Sequence, residues 1–149
     1  MTKSDLKPDS KPSRGTIIVL EDSEPARNIV KFFLEKNNYI VHGFSNGRLA
    51  LEFISKQNIT DLKLILSDIM MPEVNGFEFV KKIKELNKFP GVPVIIMSAL
   101  SEKESVMEAK QLGVSGYIVK PISIKKLTEV FKKIFPNEIF KDVSANFKS

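Results

Sequence analysis

Leu62-Lys63-Leu64-Ile65-Leu66-Ser67-Asp68-Ile69-Met70-Met71-Pro72 is the stretch on which the reading of this chain turns. The run from Leu62 to Leu66 has the length and apolar content of a buried strand, and it passes at once into a carboxylate, a proline and then Gly76, the residues of a turn. Asp68 therefore stands where a buried strand ends. Three other runs behave in the same way: Thr16-Ile17-Ile18-Val19-Leu20 ends in Glu21 and Asp22, Val94-Ile95-Ile96-Met97 ends in Ser98, and Gly116-Tyr117-Ile118-Val119 ends in Lys120-Pro121. In an open parallel sheet the carboxyl ends of the strands share one rim, and ligands bind in the crevice there. Four strand ends thus deliver three acids, one hydroxyl and one amine to a common edge.

Between these runs lie amphipathic stretches, so the chain alternates strand and helix five times and predicts an α/β fold. Ser23 or Asp22 caps a first helix in which Ala26, Ile29, Val30, Phe33 and Leu34 recur at helical spacing, leaving Arg27, Lys31 and Glu35 toward water. Tyr39 to Phe44 reads as a second strand, and Leu49, Ala50, Phe53 and Ile54 mark the helix after it. Phe79, Val80, Ile83 and Leu86 form the expected buried stripe of a third helix opened by Gly76. Val106 and Ala109 do so in a fourth, from about Glu102 to Leu112, which Gly113 stops. Leu127, Val130, Phe131 and Ile134 line the last helix, with Pro136 beyond its end. Residues 1–14 hold charges, Ser and Pro without apolar period and read as a flexible arm; 15–135 are the folded domain, and 136–149 a short tail.

The chain of 149 residues has no cysteine, which excludes thiolate metal sites, cysteine nucleophiles and disulfides. No apolar run approaches the roughly 20 residues of a membrane span, and the first 14 residues lack the apolar core of a secretory signal, so a cytoplasmic protein without a membrane role is expected. The net charge of +5 is spread over both ends and over helix faces such as Lys81-Lys82, Lys125-Lys126 and Lys132-Lys133, not gathered into a stripe for nucleic acid. His42, the one histidine, lies in the second strand away from the rim.

Three carboxylates brought together repel one another unless a cation intervenes, and an all-oxygen donor set with room for water suits Mg²⁺. A carboxylate can also act as a nucleophile toward phosphorus, a reaction in which the protein contributes position and charge stabilisation. Asp68 is the candidate nucleophile, Lys120 the positive charge for phosphoryl oxygens and Ser98 a hydroxyl donor.

These residues, with Met71-Pro72, Ser98-Ala99, Ala109 followed by Gly113, and Tyr117 before Lys120-Pro121, resemble the receiver domain of two-component response regulators over about residues 15–135. The likeness is to a stand-alone, chemotaxis-Y-like single-domain response regulator. The resemblance implies a flavodoxin-like (βα)5 three-layer sandwich with a parallel five-stranded sheet of order 2-1-3-4-5. It implies phosphotransfer to Asp68 from a sensor histidine kinase or a phosphotransfer protein, catalysed by Asp68, Ser98 and Lys120. It implies Mg²⁺ held by Glu21, Asp22, Asp68 and the Met70 backbone carbonyl, a cis Lys120-Pro121 peptide, and a switch in which Ser98 and Tyr117 move together. The surface of helix 4, strand 5 and helix 5 would then control a downstream protein, and the resemblance allows a homodimer through the same surface. Such a protein is a phosphoacceptor and not an enzyme with external substrates. Ser98 replaces the Thr more common in the family, keeping the hydroxyl and losing a methyl. Met70 and Leu100, both apolar, stand where the family tunes hydrolytic water, which implies a slow loss of the phosphoryl group.

Two other readings compete. A Mg²⁺ phosphatase of the haloacid-dehalogenase type would carry a second Asp two residues after the nucleophile, where this chain has Met70. A degenerate receiver acting only as a binding module would have lost an acid or the lysine, and none is lost.

Overall fold

The computed structural model describes residues 12–69, 75–99 and 103–141. Five strands alternate with five helices: β1(Gly15–Leu20), α1(Glu24–Lys36), β2(Tyr39–Phe44), α2(Gly47–Lys56), β3(Leu62–Asp68), α3(Gly76–Leu86), β4(Val94–Ser98), α4(Lys103–Gln111), β5(Gly116–Val119) and α5(Ile124–Ile134). The strands pair in parallel in the order β2-β1-β3-β4-β5, as the resemblance implied. The residues Met70, Met71, Pro72, Leu100 and Glu102 lie outside the described segments, as do positions 1–11 and 142–149.

The near-continuous apolar runs of β1, β3 and β4 follow from a sheet covered on both faces, since alternate side chains must each enter a core. Ile17, Val19, Leu64, Leu66, Ile95 and Met97 pack with Val30, Phe33 and Leu34 of α1 and with Leu127 and Phe131 of α5. Ile18, Leu20, Ile65 and Ile96 pack on the other face with Ala50 and Ile54 of α2, Phe79, Val80 and Ile83 of α3 and Ala109 of α4. The chain leaves β1 toward β2 on one side and returns to β3 on the other. The crevice at this change of direction lies at the carboxyl ends of β1 and β3.

Side-chain caps fix where the helices begin. Ser23, Asn46, Asn75 and Ser123 each accept a hydrogen bond from the backbone N–H three residues on. Two residues expected to be buried in α3 and α4 are not. Leu86, expected inside, is 47% exposed because it is the last residue of α3, beyond which Asn87 adopts a left-handed φ of 49° and turns the chain away. Val106 is half-buried, leaving Ala109 as the buried residue of α4. No helix among the described residues is long and apolar enough to cross a membrane.

Beyond α5 the chain remains packed. Phe140 is buried, stacked 6.3 Å from the Phe33 ring and set edge-on 5.6 Å from Phe131. Tyr39 donates its hydroxyl to Glu138 Oε2 at 2.7 Å, the Lys141 N–H donates to Asn37 Oδ1 at 2.7 Å, and the Arg14 guanidinium lies over the rings of Phe140 and Tyr39 while donating to the Ile139 carbonyl. Burial, together with the Glu138 carboxylate, pushes the Tyr39 phenol up, so it stays protonated and donating. Phe140→Ala is expected to destabilise the domain by about 3–5 kcal/mol, the range for emptying an aromatic site. Thermal unfolding checks this, with a midpoint lowered on the order of 10 °C.

Candidate functional site

Four strand ends converge on the crevice. Asp68 closes β3 with 2% of its surface exposed, and Glu21, the first residue after β1, is fully buried. Asp22 follows on the exposed side, and one carboxylate oxygen from each of Glu21, Asp22 and Asp68 lies within 4.8 Å of the other two. Ser98, also fully buried, ends β4. Lys120 follows β5; its backbone N–H donates to the Ser98 carbonyl at 2.7 Å, so the register of β4 against β5 sets hydroxyl and amine residues side by side. The Lys120–Pro121 peptide is cis.

The Lys120 ammonium is shared. Its Nζ lies 2.7 Å from Asp68 Oδ2 in a hydrogen bond and 2.7 Å from Glu21 Oε1 as an ion pair, and that buried Glu21 oxygen accepts no directed hydrogen bond. The other Glu21 oxygen, Oε2, accepts from the Ser23 N–H at 3.1 Å. Burial pushes the Glu21 carboxyl up to about 7, with the Asp68 charge adding to it, against the pull of Lys120 and of the Ser23 N–H. Burial draws the Lys120 ammonium down, but its contacts with Asp68 and Glu21 outweigh it and its net direction is up. A single cation thus serves two buried carboxylates: the amine stays charged, while burial of Glu21 outweighs the share of that charge it receives. A hard divalent cation fits this pocket, since the donors are all oxygen and one buried oxygen lacks a directed partner. Glu21, Asp22 and Asp68 are the described residues that could hold it; the Met70 carbonyl lies outside the described segments.

The surrounding backbone is tight. Gly76 opens α3 with its N–H donating to the Ile69 carbonyl at 2.9 Å, and a Cβ placed there would come within 2.2 Å of the Asp68 carbonyl oxygen. Ser67 Oγ donates to the same carbonyl at 2.9 Å.

A model of the response regulator receiver domain matches residues 17–132. The chain belongs to the response regulator receiver family. This receiver is 27% identical to the chemotaxis protein CheY4 of Vibrio cholerae, whose structure superposes with a TM-score of 0.73 over 82% of this chain and 99% of that one. It is 27% identical over 120 residues to the two-component response regulator ORR11 of Oryza sativa, covering 80% of each chain. It is 34% identical over 126 residues to histidine kinase P4 of Formosa agariphila, where the match spans 85% of this chain and 9% of that protein. Proteins of quite different length therefore carry the same module.

Tyr117 is half-buried on β5, beside Ile96 in the ladder and packed against the α2–α4 side of the core. His42 is half-buried on β2 with its ring 4.7 Å from Phe53. Arg27 and Lys31, read as facing water, are both half-buried, and Arg27 donates from Nη1 to the Glu21 carbonyl at 2.7 Å. Helical spacing alone put Arg27 among the polar positions of α1; the signal that could have found it is Gly43 in the neighbouring strand, whose bare backbone leaves room for a long side chain.

Proposed function

We propose that this receiver is a phosphorylation switch of a two-component system. Asp68 accepts a phosphoryl group from the phosphohistidine of a sensor histidine kinase or a phosphotransfer protein, in the cytoplasm. The observation that supports this most is the burial of Asp68 and Glu21 around the Lys120 ammonium at the carboxyl edge of the sheet. An Asp68 carboxylate oxygen forms the new bond to phosphorus as the phosphorus–nitrogen bond of the donor breaks and the imidazole leaves. Glu21, Asp22, Asp68 and the Met70 carbonyl would hold Mg²⁺, which when bound neutralises phosphoryl oxygens. Lys120 is already within hydrogen-bond reach of Asp68 Oδ2 and supplies a second positive charge. Ser98, at the end of the adjacent strand, supplies a hydroxyl donor.

The regulatory step follows from charge. A phosphorylated Asp68 carries up to about two negative charges beside Lys120 and Ser98, and drawing both toward it pulls on β4 and β5 at once, because their backbones are bonded at Ser98 and Lys120. Tyr117, three residues before Lys120 on β5, would change its packing with them, and α4, β5 and α5 form the surface presented to a downstream protein. Inverting a population from 1:99 to 99:1 needs about 5.5 kcal/mol of preference. The test is uptake of label from a small acyl phosphate. Incorporation in Mg²⁺ that is lost in EDTA is the expected result; equal incorporation in both would count against the reading.

A further inference from the structure

We infer that Arg27 is a positioning residue for the acidic pocket: it fixes the peptide that carries Glu21 and Asp22 by binding the Glu21 carbonyl. The inference rests on the phosphoacceptor reading, which gives those acids a cation to hold. Glu21 is gripped at both backbone atoms. Its N–H donates to the Phe44 carbonyl at the end of β2 at 2.9 Å, and its carbonyl accepts from Arg27 Nη1 at 2.7 Å. The loop is closed by the Ser23 N–H on Glu21 Oε2 and by the Arg27 N–H on the Ser23 carbonyl at 2.9 Å. Arg27 therefore touches the three-residue loop twice, once through its backbone and once through its guanidinium. The guanidinium contact is charge-assisted and of the stronger kind.

The route of the side chain is built into the neighbouring strand. The stem of Arg27 crosses Gly43 on β2, where an added Cβ would lie 3.2 Å from Arg27 Cδ and 3.6 Å from Cγ. A side chain at position 43 would press on this path. The Glu21 carbonyl belongs to the peptide linking Glu21 to Asp22, so releasing it lets that plane rotate, and rotation redirects the two carboxylates that must converge with Asp68 within 4.8 Å. Arg27 acts on the backbone, while the charges acting on the Glu21 carboxyl are those of Lys120 and Asp68.

The experiment measures Mn²⁺ affinity of the full chain by electron paramagnetic resonance, alongside thermal unfolding in EDTA, for wild type, Arg27→Met and Arg27→Lys. Arg27→Met keeps the stem and removes the donors. It is expected to weaken Mn²⁺ binding by roughly 10- to 100-fold, the range for supporting groups behind metal ligands, with its EDTA unfolding midpoint close to wild type. Arg27→Lys retains one donor and should recover part of the loss. Wild-type affinity in Arg27→Met, or losses in both variants that only follow lost stability in EDTA, would overturn the inference. Should Arg27→Met fail to fold, Gly43→Val crowds the stem with Arg27 still present; reduced Mn²⁺ affinity supports the inference and unchanged affinity opposes it. A wild-type protein that binds no Mn²⁺ would instead count against the phosphoacceptor reading itself.

Discussion

Gly76→Ala is expected to disable the pocket without altering any of its charged residues. The added Cβ would lie 2.2 Å from the Asp68 carbonyl oxygen, 2.9 Å from the Asp68 carbonyl carbon and 2.9 Å from Ile69 Cα. All three are backbone atoms, so no side chain can swing aside. Either α3 moves away from the sheet or the end of β3 moves with Asp68 on it. The objection is space and not dihedral angle, since Gly76 lacks the positive φ seen at Gly91 and Gly113. Overpacking typically costs about 1–3 kcal/mol, and this contact is among the tighter that a single methyl could create. We expect a lowered unfolding midpoint and acyl-phosphate labelling reduced by at least about tenfold, as displacing a reacting group by an ångström costs on the order of a hundredfold. Labelling and stability at wild-type level would show that Gly76 and the Asp68 carbonyl can separate without cost.

The second large effect is Lys120→Met, which keeps most of the stem and removes the ammonium. Glu21 and Asp68 would then face each other, buried, without the cation they share. Breaking a buried ion pair costs about 3–5 kcal/mol when the remaining charge is wholly enclosed. Here the cost is lower because Lys120 is 21% exposed at its side chain and because Glu21, already pushed up to about 7 by burial, can hold a proton. The variant should therefore unfold earlier than wild type in EDTA, and Mg²⁺ should raise its midpoint by more than it raises that of wild type. Phosphorylation should be slowed as well, since one of the charges directed at the phosphoryl oxygens is gone. Equal Mg²⁺ stabilisation of both proteins would mean that Lys120 and the cation do not compensate the same acids.

Much of this molecule was legible from the chain because the fold and the pocket depend on short, local signals. Apolar runs of five or six residues ending in an acid, a hydroxyl or an amine gave the strands and the polar residues gathered at their carboxyl ends. The parallel order then follows from alternation with helices, and the resemblance supplied its permutation. What escaped the sequence depends on contacts between distant segments. Leu86 fits the apolar period of α3 and is nevertheless exposed, because periodicity does not say where the opposing sheet stops. Arg27 fits the polar period of α1 and yet holds the Glu21 carbonyl, because the room it occupies is made by Gly43, sixteen positions away in sequence. Phe140 gave no period at all, lying four residues after Pro136, and its place between Phe33 and Phe131 depends on the last turn of α5 and on the Tyr39–Glu138 hydrogen bond.

The competing readings separate on chemistry. A phosphatase would release phosphate from external substrates many times per molecule, whereas a receiver takes up one phosphoryl group and holds it. A binding module indifferent to phosphate would bind its partner equally before and after treatment with donor.

The most direct test is to expose wild type and Asp68→Asn to a small acyl phosphate with Mg²⁺ and to locate the label by mass spectrometry. One phosphoryl group on Asp68 of the wild type, labile to hydroxylamine and absent from Asp68→Asn, is the predicted result. A wild type that takes up no label, or a hydroxylamine-stable label persisting in Asp68→Asn, would contradict the account.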